Sequence, residues 1–278
     1  MEYLENAFKF WGKYIFLIVP LFIMNSVIIF LGSPAIKEIS NVLNEIAEIT
    51  MDTGETANID LYDVLVQITP NILSIVYVVL LALLLSAFIL PATYGMIIKG
   101  YETAKTGLGS FFTSLKKYFT KFIPYLFTVL LFIVAVGIIY TIVLFIFPFI
   151  YSISWQLGLA VFAGIIIASI IILCHIFNVF NIWFIAMAWD DMKVFEGLIK
   201  AFKLVKSYFW SSIGITFAMG FLYVTIIALI GGVIENVFIV GATIKSFLLS
   251  ACIYILMVFG FEIYRDRTNK KTQLRDYL

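Results

Sequence analysis

Charged residues are scarce in this sequence. Asp, Glu, Lys and Arg make up 13% of its 278 residues, and five stretches carry none of them: 14–36, 64–98, 122–189, 207–234 and 246–261. A soluble domain has about a quarter of its residues charged. The scarcity excludes an ordinary soluble domain, and no stretch is long and polar enough to form a soluble catalytic domain.

Cysteine and histidine are also rare. The two cysteines, Cys174 and Cys252, fall within or beside long apolar segments, which argues against a disulfide framework or a zinc site. The sequence contains no Walker A, HExxH or GxSxG motif, and the charge-free stretches hold no carboxylate pair. These absences argue against a hydrolytic enzyme and an ion-coupled pump. We therefore expect no catalytic residue, no resident metal, no cofactor and no nucleic-acid partner.

What the sequence has is long apolar runs, with 63% apolar residues and a mean hydropathy of +1.08. A bilayer core needs about 20 apolar helical residues. Four of the charge-free stretches suit one transmembrane helix each. The shortest of them, 246–261, is long enough only if the side chains of Lys245 and Glu262 at its ends snorkel outward. The stretch 122–189 suits two helices joined around Pro148–Gln156. The sequence thus predicts an all-α polytopic membrane helical bundle with six transmembrane helices, because a β-barrel would show alternation instead.

The distribution of basic residues predicts the orientation in the membrane. Six spans put both termini on one side. The four segments predicted there (1–13, 99–121, 190–206 and 262–278) hold sixteen of the 18 Lys and Arg residues. Because basic loops stay in the cytoplasm, we expect a cell-membrane protein with cytoplasmic N- and C-termini.

One pattern occurs three times. Each copy has Leu, then apolar residues three, four, ten and eleven positions on: Leu4, Ala7, Phe8, Tyr14, Ile15; Leu108, Phe111, Phe112, Tyr118, Phe119; Leu198, Ala201, Phe202, Tyr208, Phe209. A helix disruptor lies sixteen positions in: Pro20, Pro124, Gly214. This spacing forms one face of an α-helix. It predicts a single membrane domain, 1–278, of three hairpin repeats (1–98, 99–189 and 190–264) and a tail, 265–278, each repeat preceded by an amphipathic helix flat on the surface.

Three polar features outside the apolar runs have open interpretations. The loop 34–69 is acidic and carries an amphipathic pattern over 36–49, which suits a solvated cap or a site that attracts cations. The basic surface helices carry Lys116, Lys117, Lys200, Lys203 and Lys206, which suit anchoring to anionic lipids or specific binding of a headgroup or nucleotide. Asp190 and Asp191 suit a helix cap or solvated turn positions or, as an alternative, a metal site.

The fourth predicted span holds the candidate ligand site. His175, Asn178 and Asn181 are three residues apart and share one helix face. His175 lies near the middle of the span if that span covers 157–189. Polar groups at that depth should face the bundle interior. They form either a site for a substrate, ion or proton or a set of interhelical hydrogen bonds.

Part of the chain resembles known membrane proteins. Leu90-Pro91-Ala92-Thr93-Tyr94-Gly95, then Lys99-Gly100-Tyr101, then the Phe- and Lys-rich segment 109–119 is similar to uncharacterised six-span prokaryotic integral membrane proteins. It also resembles the membrane domain attached to some glycerophosphoryl diester phosphodiesterases. The catalytic barrel of those enzymes is missing. The resemblance implies an integral membrane protein concerned with lipid or envelope handling.

Three functions remain open at this point. The first is binding or moving a hydrophobic or neutral ligand such as a lipid, with His175, Asn178 and Asn181 at the site. The second is a structural or accessory membrane subunit that scaffolds a protein partner or forms a homo-oligomer. The third is a membrane-embedded lipid enzyme. A cavity lined by the polar face would favour the first, and tight packing of that face would favour the second.

Overall fold

Eight α-helices account for nearly all of the chain that the computed structural model describes, which is residues 2–53, 61–234 and 237–270. They are α1 (Glu2–Lys13), α2 (Val19–Thr53), α3 (Leu61–Thr103), α4 (Phe111–Ile153), α5 (Trp155–Trp189), α6 (Val194–Ser207), α7 (Phe209–Ile234) and α8 (Phe238–Arg267). Short 3-10 helices at Ile15–Ile18 and Leu108–Ser110 precede α2 and α4. No strand occurs in these ranges, so the prediction of an all-α fold is confirmed.

Within those ranges, six helices are long and apolar enough to cross a bilayer. They are α2 to α5, α7 and α8, with apolar segments of 22 to 36 residues and mean hydropathies from 2.0 to 2.9. Each exceeds the roughly 20 residues that a bilayer core requires. The predicted number of spans is confirmed, and the chain has the architecture of a multi-pass membrane protein.

The long charge-free stretch contains two helices, as predicted. They separate at Ser154, whose backbone is extended at φ −160° and ψ 126°. The hydroxyl of Ser154 accepts a 3.5 Å hydrogen bond from the backbone N–H of Leu157 and caps α5. The break lies inside the predicted segment Pro148–Gln156.

The buried core lies at the end of the bundle that carries both ends of the described chain. Every residue in 91–98 of α3, 181–188 of α5 and 254–264 of α8 is buried. Toward the other end, none of residues 126–143 of α4 is buried, and 156–175 of α5 is largely exposed and apolar. The exposed half has the surface of a segment that lies in lipid, whereas the core half packs like the interior of a soluble protein.

The first helix packs lengthwise on the last one. Tyr3 donates a 2.6 Å hydrogen bond to Asp266, and the Tyr254 hydroxyl donates to the carbonyl of Tyr14 at 3.5 Å. These contacts make α1 antiparallel to the last three turns of α8. Ala7 and Phe10 of α1 are fully buried. Helix α1 therefore lies along α8, which differs from the predicted helix lying flat across the surface.

Two of the three repeat copies break at their tyrosine. Tyr14 follows α1 with φ −123° and ψ 40°, and Tyr208 follows α6 with φ −123° and ψ 21°. The predicted disruptors, Pro20 and Gly214, lie inside α2 and α7 instead. Pro20 falls in the first turn of α2, where a helix tolerates proline because the N–H it lacks would have no partner there.

The second copy has no separate surface helix. After the 3-10 helix Leu108–Ser110, α4 runs unbroken from Phe111 through Tyr118 and Pro124. Tyr118 is 3% exposed and lies in the α3–α4 contact. The predicted helix 108–122 is therefore the beginning of α4. The repeat as a whole stays a prediction.

The far end of the bundle also differs from the sequence interpretation. Helix α2 continues through Pro34 to Thr53, so the amphipathic segment 36–49 is the far end of α2. Gly231 and Gly232, predicted to form a turn, lie within α7. Of the predicted turn at 51–56, residues 51–53 form the end of α2, and residues 54–56 lie outside the described residues.

Glu262 does not snorkel outward. Its side chain is fully buried in α8, where it accepts a 2.6 Å hydrogen bond from the Tyr101 hydroxyl and a 3.5 Å hydrogen bond from the Asn6 amide. Arg265 forms a 2.7 Å ion pair with the same carboxylate. A buried charge persists only when it is paired and hydrogen-bonded. Lys245, the other residue of that prediction, is partly exposed.

The close contact of α3 with α4 gives a test of this packing. A Cβ atom at Gly95 would lie 2.5 Å from Cδ2 of Tyr118 and 2.6 Å from Cβ of Ser114. Gly95→Ala should therefore force the helices apart and destabilise the protein by about 1–3 kcal/mol, which a lowered Tm in detergent would report. Gly137→Ala on α4 is the control, because nothing lies within 4 Å of its Cβ position. Equal Tm values for both variants would contradict this packing.

Candidate functional site

The three polar residues predicted to share a site lie in different surroundings. Asn178 is 3% exposed. Its amide donates to the Cys174 carbonyl at 2.7 Å and to the Thr216 hydroxyl of α7 at 2.8 Å. Asn178 thus fastens α5 to α7, which is a structural use of the side chain.

Asn181 joins three helices. Its Oδ1 accepts a 2.7 Å hydrogen bond from the Tyr94 hydroxyl of α3, and its Nδ2 donates at 2.8 Å to the Leu256 carbonyl of α8. Gly260 leaves room for this amide, since a Cβ there would lie 2.4 Å from Nδ2. Both asparagines therefore make the interhelical hydrogen bonds that the sequence offered as the alternative to a ligand site.

His175 lies apart from the two asparagines, in a groove between α5, α6 and α7. The groove has a volume of about 570 Å³ and is lined by His175, Phe202, Lys203, Lys206 and Phe209. The His175 ring lies 5.0 Å from the Phe209 ring and 6.4 Å from the Phe202 ring, measured between centroids. Its Nδ1 atom is buried and has no hydrogen-bond partner among the described residues. Small-molecule sites commonly have this size and combination of aromatic walls and few polar groups.

The groove lies at the junction of the exposed and buried halves of the bundle. The exposed apolar part of α5, residues 156–175, spans about 30 Å at 1.5 Å per residue, the thickness of a bilayer core. The buried part begins at Asn178. His175 is therefore at the end of the exposed part of α5, and it lies near the middle of the apolar segment Gln156–Trp189, as the sequence predicted. Trp210, 75% exposed beside Phe209, suits such a boundary.

The five predicted basic residues divide into three groups. Lys203 and Lys206 line the groove. Lys200, on the same helix, forms a 2.8 Å ion pair with Asp190 and lies 4.9 Å above the Tyr264 ring. Lys116 and Lys117 are exposed at the start of α4, away from the groove. The lysine pattern of the sequence gave no indication of which members would be paired.

Asp190 is the centre of an ionic cluster beside the groove. Lys200, Lys270 and Tyr264 all donate hydrogen bonds or ion pairs to its carboxylate. Burial raises the pKa of the Asp190 carboxyl, but these three hydrogen bonds outweigh burial and lower that pKa to about 2. The residue ends α5 and does not cap α6, whose N-cap residue is Lys193. The predicted capping role is wrong because three donors outside the α6 backbone hold the carboxylate.

Asp191 has a separate partner. It adopts a positive φ of 57° and forms a 2.5 Å ion pair with Lys121 of α4. This pair joins the start of α4 to the turn before α6, and it lowers the pKa of the Asp191 carboxyl. The two neighbouring aspartates thus point to different helices, and each has a cation as its partner.

The chain matches no known family, no curated protein and no solved structure. The resemblance noted from segments 90–101 and 109–119 stays a prediction. The case for a function therefore depends on the geometry of the groove.

The role of Asn181 can be measured. Asn181→Ala removes hydrogen bonds to α3 and α8 and leaves the Tyr94 hydroxyl buried without this partner. We expect a loss of stability of about 1–2 kcal/mol, seen as a lower Tm. Thr141→Ala is the control, because the Thr141 hydroxyl bonds only to the carbonyl of Gly137 in its own helix. An unchanged Tm for Asn181→Ala would show that these interhelical bonds add nothing to stability.

The Asp190 cluster predicts a pH dependence. Because its folded pKa is depressed, the stabilisation by Asp190 is present above the unfolded value near 4 and is lost as pH falls toward 2. Asp190→Asn should lower stability on the order of 2 kcal/mol at pH 7. The Tm difference from wild type should shrink between pH 4 and pH 2. The control is Asp191→Asn, whose wild-type carboxylate is 84% exposed and should contribute less. A Tm difference for Asp190→Asn that stays constant to pH 2 would rule out this linkage.

Proposed function

We propose that this protein is a non-catalytic multi-pass membrane protein that binds a lipid in the groove between α5, α6 and α7. The observation that carries the proposal is the composition of the groove at the edge of the apolar half. Phe202 and Phe209 provide apolar walls beside the His175 ring, and the exposed side chains of Lys203 and Lys206 border the groove with their aliphatic stems and carry charged ends. A molecule that fits both needs an apolar part and a polar part, which is the chemistry of a membrane lipid.

The exposed surface around the groove supports a ligand that comes from the membrane. Phe202 is 44% exposed, Trp210 is 75% exposed, and Ile172 of α5, one turn from His175, is 46% exposed. Lipid chains would cover this surface, since large exposed apolar areas are unfavourable in water. A ligand could therefore enter from the side without passing through the bundle.

The packed asparagines support binding over transport. Asn178 and Asn181 are 3% and 4% exposed, and their amides are hydrogen-bonded to neighbouring helices. A path through the bundle along this face would have to break those bonds. The same tight packing favours the second candidate, an accessory subunit that scaffolds a protein partner, in which bound lipid would stabilise the fold.

We further propose that both termini are cytoplasmic and that the membrane is the cell membrane. The Tyr3–Asp266 hydrogen bond supports the first part, because it joins the two ends of the described chain. Most Lys and Arg residues lie on segments at that same end, which supports a cytoplasmic location under the positive-inside rule.

Lipid retention tests the proposed site. Phe202→Ala/Phe209→Ala removes both aromatic walls and should reduce the lipid that stays bound through detergent delipidation by about tenfold, because each truncated ring loses apolar contact. Native mass spectrometry of the purified protein measures the bound lipid. Phe217→Ala/Phe221→Ala is the matched control, because these two α7 rings are exposed and stack only on each other. Retention by the groove variant equal to that of wild type would reject the groove as a lipid site.

A further inference from the structure

We infer that the groove selects phospholipids whose headgroup carries a net negative charge. This inference depends on the proposed lipid site and names the class of ligand that the site would take. It is based on three features of the groove: two lysines without an acidic partner among the described residues, the Nδ1 atom of His175, which has no hydrogen-bond partner there, and the exposed apolar surface of α5.

The first element is a pair of lysines that form no ion pair among the described residues. Lys203 and Lys206 are three residues apart on α6, so they lie on one helix face, and both side chains are exposed at the groove. Two lysines near the groove or its ionic cluster have acidic partners: Lys200 pairs with Asp190, and Lys121 with Asp191. Among the residues that the structure describes, no carboxylate forms an ion pair with Lys203 or Lys206. Two positive charges without an acidic partner among the described residues therefore lie on side chains that border the groove.

The second element is the imidazole of His175. Its Nδ1 is buried and has no partner in the described part of the chain. A buried polar atom without a hydrogen bond costs free energy, and a neutral imidazole nitrogen can donate or accept. A phosphate oxygen accepts a hydrogen bond from a protonated Nδ1, and a headgroup hydroxyl donates to an unprotonated one. His175 thus contributes to the groove lining a ring with one unused hydrogen-bonding atom.

The third element is an apolar surface, which favours a lipid over a soluble anion as the ligand. Phe202 and Phe209 form the walls beside the polar groups, and the exposed apolar surface of α5 continues from His175 through Ile172 toward the far end. Two exposed lysines alone would hold a small phosphate weakly, because water and salt screen them. Acyl chains along α5 would keep the headgroup at the lysines. The geometry thus favours a lipid phosphate over free phosphate.

Lipid titrations monitored by native mass spectrometry test this inference on the full chain in neutral detergent. The probes are phosphatidylglycerol and phosphatidylcholine with identical acyl chains, and soluble glycerol 3-phosphate. The variants are Lys203→Gln/Lys206→Gln and the control Lys99→Gln/Lys116→Gln, which removes two exposed lysines outside the groove. Wild type should bind phosphatidylglycerol about tenfold or more tightly than phosphatidylcholine. The groove variant should bind phosphatidylglycerol roughly thirty-fold more weakly, the factor that two lysines near an anionic lipid supply, and the control should match wild type.

The results separate this inference from the proposed function. Equal affinity of wild type for the two lipids, with lipid still lost from Phe202→Ala/Phe209→Ala, would reject charge selection and keep the lipid site. Loss of the phosphatidylglycerol preference in both lysine variants would reject the assignment to Lys203 and Lys206. Competition by glycerol 3-phosphate at lipid-like concentrations would identify a free phosphate as the ligand.

A salt titration of wild type gives a second measurement if the groove variant fails to fold. Because the lysines are exposed, the preference for phosphatidylglycerol should shrink as NaCl rises from 50 to 500 mM. A preference that does not change over this range would overturn the electrostatic basis of the inference.

Discussion

Residues 254–264 of α8 must be enclosed on all sides, and the rest of the bundle is arranged around that requirement. Residues 254–264 are all buried, and they include the carboxyl side chain of Glu262. Removing a carboxylate from water is costly unless donors replace the water. Tyr101 of α3, Asn6 of α1 and Arg265 of α8 supply those donors. Helices α1 and α3 are thereby fixed against α8, and the buried half of the bundle follows from this arrangement.

The same end of α8 organises the polar contacts that lead to the groove. Tyr264 reaches Asp190 at the end of α5, and Asp190 holds Lys200 of α6. With Lys200 committed to this ion pair, Lys203 and Lys206 on the next turn are left facing the groove. The position of α6, and with it the charge offered to a lipid, thus depends on a carboxylate that takes no direct part in the proposed binding.

The six spans could be located from the sequence alone. A charged side chain in lipid is energetically costly, so long stretches without charge indicate segments that lie in the membrane. Sequence reasoning failed where a side chain depends on a distant partner. Glu262 was predicted to face water because Tyr101, which holds it, is 161 residues away. No local signal in the sequence divides α5 into an exposed and a buried half, and that division places the groove beside His175. The groove itself needs α6 and α7, which no local pattern brings to His175.

The pairing of α1 with α8 has a consequence for how the chain is made. Tyr3 and Asp266 are 263 residues apart, so a ribosome working at 5–20 residues per second takes roughly 13–50 s to supply the partner of the first helix. Until then Ala7 and Phe10 have no α8 to cover them. Assembly of the bundle is therefore completed only after the final span has been translated, when the first and last segments meet.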